Sequence, residues 1–202
     1  MAGFDGHLRY GVSVYGLMLA VAGLGYVGGV VVAGTLALVV AALPLTLAGA
    51  LFPDLDHPSS LSYRYGKRYL PLLFAAVALV VGLRYRGAVA ETVAPRAAGT
   101  GAFLSGVVVA SMAWAALTGT RWLLPRLRPP HRTVTHRLPA GLVAALCVGV
   151  FLALLTGEAD PAGFDVELIG SGAFLAGFIS HLAADDMLPA FRKRLLGFAN
   201  EE

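Results

Sequence analysis

Two aspartates and a histidine stand within four positions in Pro53-Asp54-Leu55-Asp56-His57-Pro58, directly after a run from Tyr10 to Phe52 without a charged residue. His131 and His136 follow in "HRTVTH", His181 and Asp185 in "HLAAD", and His7 lies near the N-terminus. Imidazole and carboxylate are ordinary ligands of zinc, manganese and iron. In an extended segment residues two apart point the same way, so Asp54 and Asp56 are expected to converge on one cation. Flanking prolines stiffen such a segment and lower the entropy lost on ordering ligands. The competing reading is a polar turn that ends a membrane span, with Asp56 capping a helix from about Pro58 and Asp54 solvated.

His131 and His136 are five apart and miss a common helix face, so they require a turn or loop, which Pro129 and Pro130 favour. The neighbouring Arg128, Arg132 and Arg137 favour the neutral imidazole that metal binding requires. They also suit phosphate oxygens, or anionic headgroups beneath a positively charged loop. His181 and Asp185 are four apart and share a helix face. Counted from Leu168 at the standard rise, His181 stands about 9 Å inside the last apolar segment. An ionisable residue at such a depth is a functional candidate by default, although a structural His–Asp hydrogen bond between helices is the alternative. His7 alone would be incidental.

The elements that must position these residues are membrane helices. The chain is 57% hydrophobic and 13% charged, about half the charge of an ordinary soluble domain. Apolar segments near 20 residues recur along it, and backbone in lipid must satisfy its own hydrogen bonds, which predicts helices. Six spans are expected, over about 10–28, 33–52, 69–84, 101–124, 138–156 and 168–188, with Gly28, Gly29 and Gly34 marking the first turn. All six belong to one integral-membrane domain covering 1–202. Gly141, Ala145 and Gly149, at spacing four, permit close helix contact. The single cysteine, Cys147, lies in an apolar segment and reads as filler. The N-terminus has no basic cluster before its long apolar run and reads as retained.

Threading alternate loops to alternate sides puts twelve of the fifteen basic residues on the side that holds both termini, leaving Arg84, Arg86 and Arg96 opposite. The positive-inside rule makes the basic side cytoplasmic. All five histidines fall on or just below that face, although they took no part in the threading. A shared cytoplasmic-face metal site follows as the expectation.

These motifs together resemble the YdjM-like family of membrane-bound, inner-membrane metal-dependent hydrolases. That family's pattern is an N-terminal His, a Pro-Asp-x-Asp-His-Pro segment after an apolar run, a His-Arg-x-x-Thr-His segment, and a final His-x-x-x-Asp. The matching residues are His7; Asp54, Asp56 and His57; His131 and His136; and His181 and Asp185. The resemblance covers most of the chain, and four motifs in order are more specific than any one. Val134 and Arg137 depart from the glycine and serine common in the family's third segment, and "DMLPAFRKRLL" departs from its usual tail. The ligand types are also similar, more distantly, to the zinc phospholipase C and P1-nuclease group.

The expected protein is therefore an all-α, polytopic bundle of about six transmembrane helices in the cell membrane. Its candidate metal ligands are His7, Asp54, Asp56, His57, His131, His136, His181 and Asp185. Eight candidates exceed the three of a simple catalytic zinc site, which suits one ion with outer supporting residues, or two ions. Zinc is the first choice, with manganese or iron as alternatives. The expected chemistry is hydrolysis by metal-activated water, with Asp56 or Asp185 as general base and Arg132 and Arg137 steadying a phosphate. The expected partners are membrane lipids and a small-molecule or lipid-linked substrate, with no nucleic acid. A non-catalytic metal-binding scaffold or sensor is the main rival. A transporter, which would gather its ionisable residues at the membrane midplane, fits less well.

Overall fold

The computed structural model describes residues 3–93, 100–126, 134–156 and 164–185. Among these residues there are helices and turns but no strand. The helices are α1 (Phe4–Val27), α2 (Ala33–Ala41), α3 (Leu43–Leu51), α4 (Leu61–Arg84), α5 (Arg86–Val93), α6 (Gly101–Leu123), α7 (Leu138–Thr156) and α8 (Phe164–Ala184). Six segments of 19 to 24 residues are long and apolar enough to cross a membrane, with α2 and α3 forming one of them. Their lengths match the roughly 20 residues needed to cross a ~30 Å hydrocarbon layer.

Several boundaries differ from the expected spans. The third begins at Leu61 rather than Tyr69, because Ser60 caps it: its hydroxyl accepts from the Tyr63 N–H at 2.9 Å. Pro71 lies inside this helix without ending it. The second span is interrupted at Ala42, ahead of Pro44, whose missing N–H suits the first turn of α3. The short α5 was not anticipated. The first turn falls at Gly28 and Gly29, where Gly29 adopts φ +72°, whereas Gly34 lies within α2. Positive φ is the conformation that only glycine adopts without cost. The last helix runs from Phe164 to Ala184, so His181 stands in its final turn.

α8 is the most enclosed span, packed against α1, α3 and α7, while α4 pairs with α6. Small residues make this possible. A Cβ at Gly49 would fall on the Phe174 carbonyl oxygen, and one at Gly177 on the Thr46 carbonyl oxygen, so α3 and α8 cross backbone to backbone. On the side of α8 that meets α7, Gly141 receives the Phe178 ring and Gly149 faces Ser171. The expected small-residue stripe on α7 is thus a packing face. Gly11, one turn after His7, lies against Ala50 and draws α1 onto α3. Without a hydrophobic drive between helices in lipid, such close contact supplies the dispersion energy that holds the bundle.

A candidate metal centre

The close crossings converge on one end of the bundle, where the start of α1, the end of α3, the approach to α7 and the end of α8 meet. His7 from α1, His136 just before α7, and His181 from α8 are 1%, 3% and 0% exposed. The His7 and His181 rings stack with centroids 3.7 Å apart, and the His136 ring meets His181 edge-on at 5.2 Å. His7 Nε2 lies 3.8 Å from Asp54 Oδ2 and 3.6 Å from Asp185 Oδ1. His181 Nε2 lies 3.8 Å from Asp54 Oδ1, 3.9 Å from Asp185 Oδ2 and 3.4 Å from His136 Nε2.

Two overlapping sets of potential ligands result, His7–Asp54–His181 and His136–His181–Asp185, with donor atoms in each set within 4.8 Å of one another. Bonds of ~2.1 Å in a tetrahedral arrangement put neighbouring donors about 3.4 Å apart. The contacts of 3.4 to 3.9 Å among these donors are close to that spacing. Mixed nitrogen and oxygen donors suit zinc, manganese or iron.

Hydrogen bonding presents the nitrogens correctly for this purpose. His181 Nδ1 lies 2.8 Å from the Ala50 carbonyl oxygen. A carbonyl can only accept, so Nδ1 carries the hydrogen and Nε2 turns its lone pair towards the cluster. Thr135 donates its hydroxyl hydrogen to Asp56 Oδ2, and its oxygen lies 3.2 Å from His136 Nδ1. With Asp56 Oδ2 also 3.6 Å from His136 Nδ1, the hydrogen of that ring belongs on Nδ1 and its Nε2 also faces inward. Two lone pairs 3.4 Å apart repel unless a proton or a cation lies between them. His7 Nδ1 is enclosed with no hydrogen-bond partner among the described residues, a costly state for a buried nitrogen. These observations fit a cation-binding donor set.

The segment carrying the two aspartates is not extended. Pro53–Asp56 is a single 3-10 turn, so Asp54 and Asp56 diverge: Asp54 joins His7 and His181, while Asp56 stands behind His136. Asp56 therefore orients an imidazole, as carboxylates behind metal-bound histidines commonly do. Nor does Asp56 cap the next helix, a role taken by Ser60, whose hydroxyl also donates to the Asp54 carbonyl oxygen at 2.6 Å. His57 Nδ1 lies 2.9 Å from Ser59 Oγ, and neither ligand set of described residues includes this ring. Arg137 is exposed beside His136. His131 and Arg132 lie outside the described residues.

The sequence reading gave no role to Thr135, although it sits within "HRTVTH"; a hydroxyl directly before His136 is the local signal. The Ala50 carbonyl left no signal, since any residue could supply it. Solvent reaches the cluster beside Asp54, whose side chain is 17% exposed against 2% for His7 and 3% for Asp185.

The role of Asp56 carries a direct expectation. Asp56→Asn should weaken metal binding about 10- to 100-fold, the usual effect of losing a partner behind a ligating histidine, and Thr135→Val should act in the same direction. Titration with a competing chelator measures both.

No curated protein and no solved structure matches this chain. The family model described as YdjM inner membrane protein matches residues 1–191, a stretch that contains every one of the His and Asp motifs. With six apolar spans and this match, the chain is a multi-pass membrane protein and belongs to the YdjM inner membrane protein family.

Proposed function

We propose that the protein is a membrane-bound, metal-dependent hydrolase whose centre faces the cytoplasm and acts on a phosphoester or lipid-linked substrate. The observation that carries this reading is the inward presentation of His136 and His181 Nε2 beside the Asp54 and Asp185 carboxylates. His7 and His181 imidazoles face the Asp54 and Asp185 carboxylates. Carboxylates drawn together with imidazole nitrogens in a largely enclosed site are the donor types that a divalent cation takes.

When bound, the cation supplies Lewis acidity and activates water for attack on the substrate. The chain's own contribution is orientation and proton handling. Ala50 holds His181, and Thr135 with Asp56 holds His136, so neither ring must reorganise. Asp56, engaged by Thr135 and His136, and Asp185, beside His7 and His181, are the two carboxylates proposed as the general base. Arg137, exposed beside His136, and Arg132 are the proposed contacts for negative charge developing on a phosphate. The twelve basic residues on the side that holds both termini support the cytoplasmic orientation.

The test is metal analysis of the detergent-purified protein together with a phosphoesterase panel. Wild type should carry one or two equivalents of zinc, manganese or iron and hydrolyse at least one substrate. Asp54→Ala and His136→Ala should lose both properties. Full metal occupancy in both variants would refute the centre. Metal that is lost in the variants, with no hydrolysis by wild type, would instead indicate the scaffold or sensor.

A further inference from the structure

We propose that a cleft on α4, between Arg64 and Arg68, is a binding subsite for the phosphate of an anionic lipid headgroup that serves the metal centre. The cleft has a volume of about 170 Å³ and is lined by Leu61, Arg64, Tyr65 and Arg68. These positions are i, i+3, i+4 and i+7, so they form one stripe of the helix. Ligand pockets for whole drug-sized molecules run to ~300–1,000 Å³, and a space of this size suits a small group such as a phosphate.

Its chemistry selects for an anion at an apolar boundary. Two guanidinium groups one turn apart can each offer paired N–H donors to phosphate oxygens. Neither has a carboxylate partner among the described residues. Arg68 lies over the Tyr69 ring at 5.4 Å, and Tyr69 stacks on Tyr65 at 6.3 Å, which steadies the guanidinium before any ligand arrives. Leu61 gives the cleft an apolar wall, and tyrosines are at home at the membrane–water boundary.

The cleft is mechanically joined to the centre. Ser60, the residue before Leu61, hydrogen-bonds the Asp54 carbonyl while capping α4. Leu55, between Asp54 and Asp56, rests on Gly66, and Phe4, one turn before His7, meets Tyr65 with centroids 6.4 Å apart. The centre also opens to solvent beside Asp54. A headgroup phosphate held here would be linked through Ser60, Leu55 and Phe4 to the segments that carry Asp54 and His7. The subsite's service to the centre rests on the hydrolytic reading, whereas phosphate binding itself does not.

The test uses the full-length protein in a phosphate-free neutral detergent, titrated calorimetrically with inorganic phosphate and, separately, with dihexanoyl phosphatidic acid. Metal content is measured in parallel. Wild type should bind both, the lipid at least tenfold more tightly. Arg64→Gln with Arg68→Gln should weaken lipid binding at least tenfold with metal content unchanged. Arg64→Lys with Arg68→Lys, which keeps the charge but loses the paired donors, should show an intermediate loss. Lys67→Gln, on the same helix but outside the cleft, should bind as wild type does. The proposal falls if wild type binds neither probe, if the double Gln variant binds normally, or if Lys67→Gln loses as much as the arginine pair. Equal affinity for the two probes would overturn the lipid assignment in favour of free phosphate. Because metal content is read independently, failure of the metal centre would leave the outcome of the phosphate titrations distinct.

Discussion

His181→Ala is expected to abolish metal binding, with affinity falling by more than 100-fold, and to remove any hydrolytic activity with it. Losing a residue that merely supports a ligating histidine costs about 10- to 100-fold, and His181 is more than that. It is the one member common to both potential ligand sets. Its Nε2 lies within 3.9 Å of Asp54, Asp185 and His136 donor atoms, and its ring stacks against His7. The alanine variant would leave two donors in each set and a void between the Asp54 and Asp185 carboxylates. His57→Ala is the matched control: its ring lies 2.9 Å from Ser59 and in neither set formed by the described residues, and metal should be retained. Elemental analysis of purified variants decides the matter. A His181→Ala protein with wild-type metal content would show that the cluster is a structural knot of hydrogen bonds.

Gly177→Leu is expected to have the largest effect on the fold. A Cβ there lands on the Thr46 carbonyl oxygen, and its counterpart at Gly49 on that of Phe174. Ordinary overpacking costs about 1–3 kcal/mol because side chains can rotate aside. Backbone carbonyls inside helices cannot, so at least ~3 kcal/mol is expected here. At roughly 2–4 °C per kcal/mol for a chain of this size, melting should fall by about 6–12 °C in a thermal-unfolding scan in detergent. Separating α3 from α8 also breaks the His181–Ala50 hydrogen bond, so metal affinity should fall in parallel. Gly172→Ala, on the same helix with nothing within 4 Å of the added carbon, should be neutral or slightly stabilising. An unchanged melting temperature for Gly177→Leu would mean that the helices can slide apart freely, and the close crossing would lose its importance.

Much of this architecture is legible in the residue order because membrane helices advertise themselves. Charge avoidance from Tyr10 to Phe52 and later apolar runs near 20 residues dictate six spans, since continuous apolar runs of that length satisfy their backbone in lipid as helices. Alternation of those spans then brings His7, Asp54, His136, His181 and Asp185 to one end of the bundle. The residue types were sufficient to suggest metal chemistry. They were insufficient to divide labour among the candidates. Asp54 and Asp56 look equivalent in "PDLDHP", and an extended segment would have made them so. The 3-10 turn separates them, because its tighter winding sends neighbouring side chains in different directions.

What composition and local pattern determined, then, was the solvent the chain is built for, the number of spans, and the face on which the ionisable residues gather. These depend on hydropathy and on chain alternation, both of which are sums over local residues. Tertiary structure alone decided which imidazole nitrogen faces inward, that Asp56 supports His136, and that Asp54 belongs with His7 and His181. Each of those depends on contacts between positions far apart in the chain: the Ala50 carbonyl with His181, Thr135 with Asp56, and the glycine crossing of α3 with α8. No periodicity encodes such contacts, because they are set by how closely two backbones approach, which only the packed bundle determines.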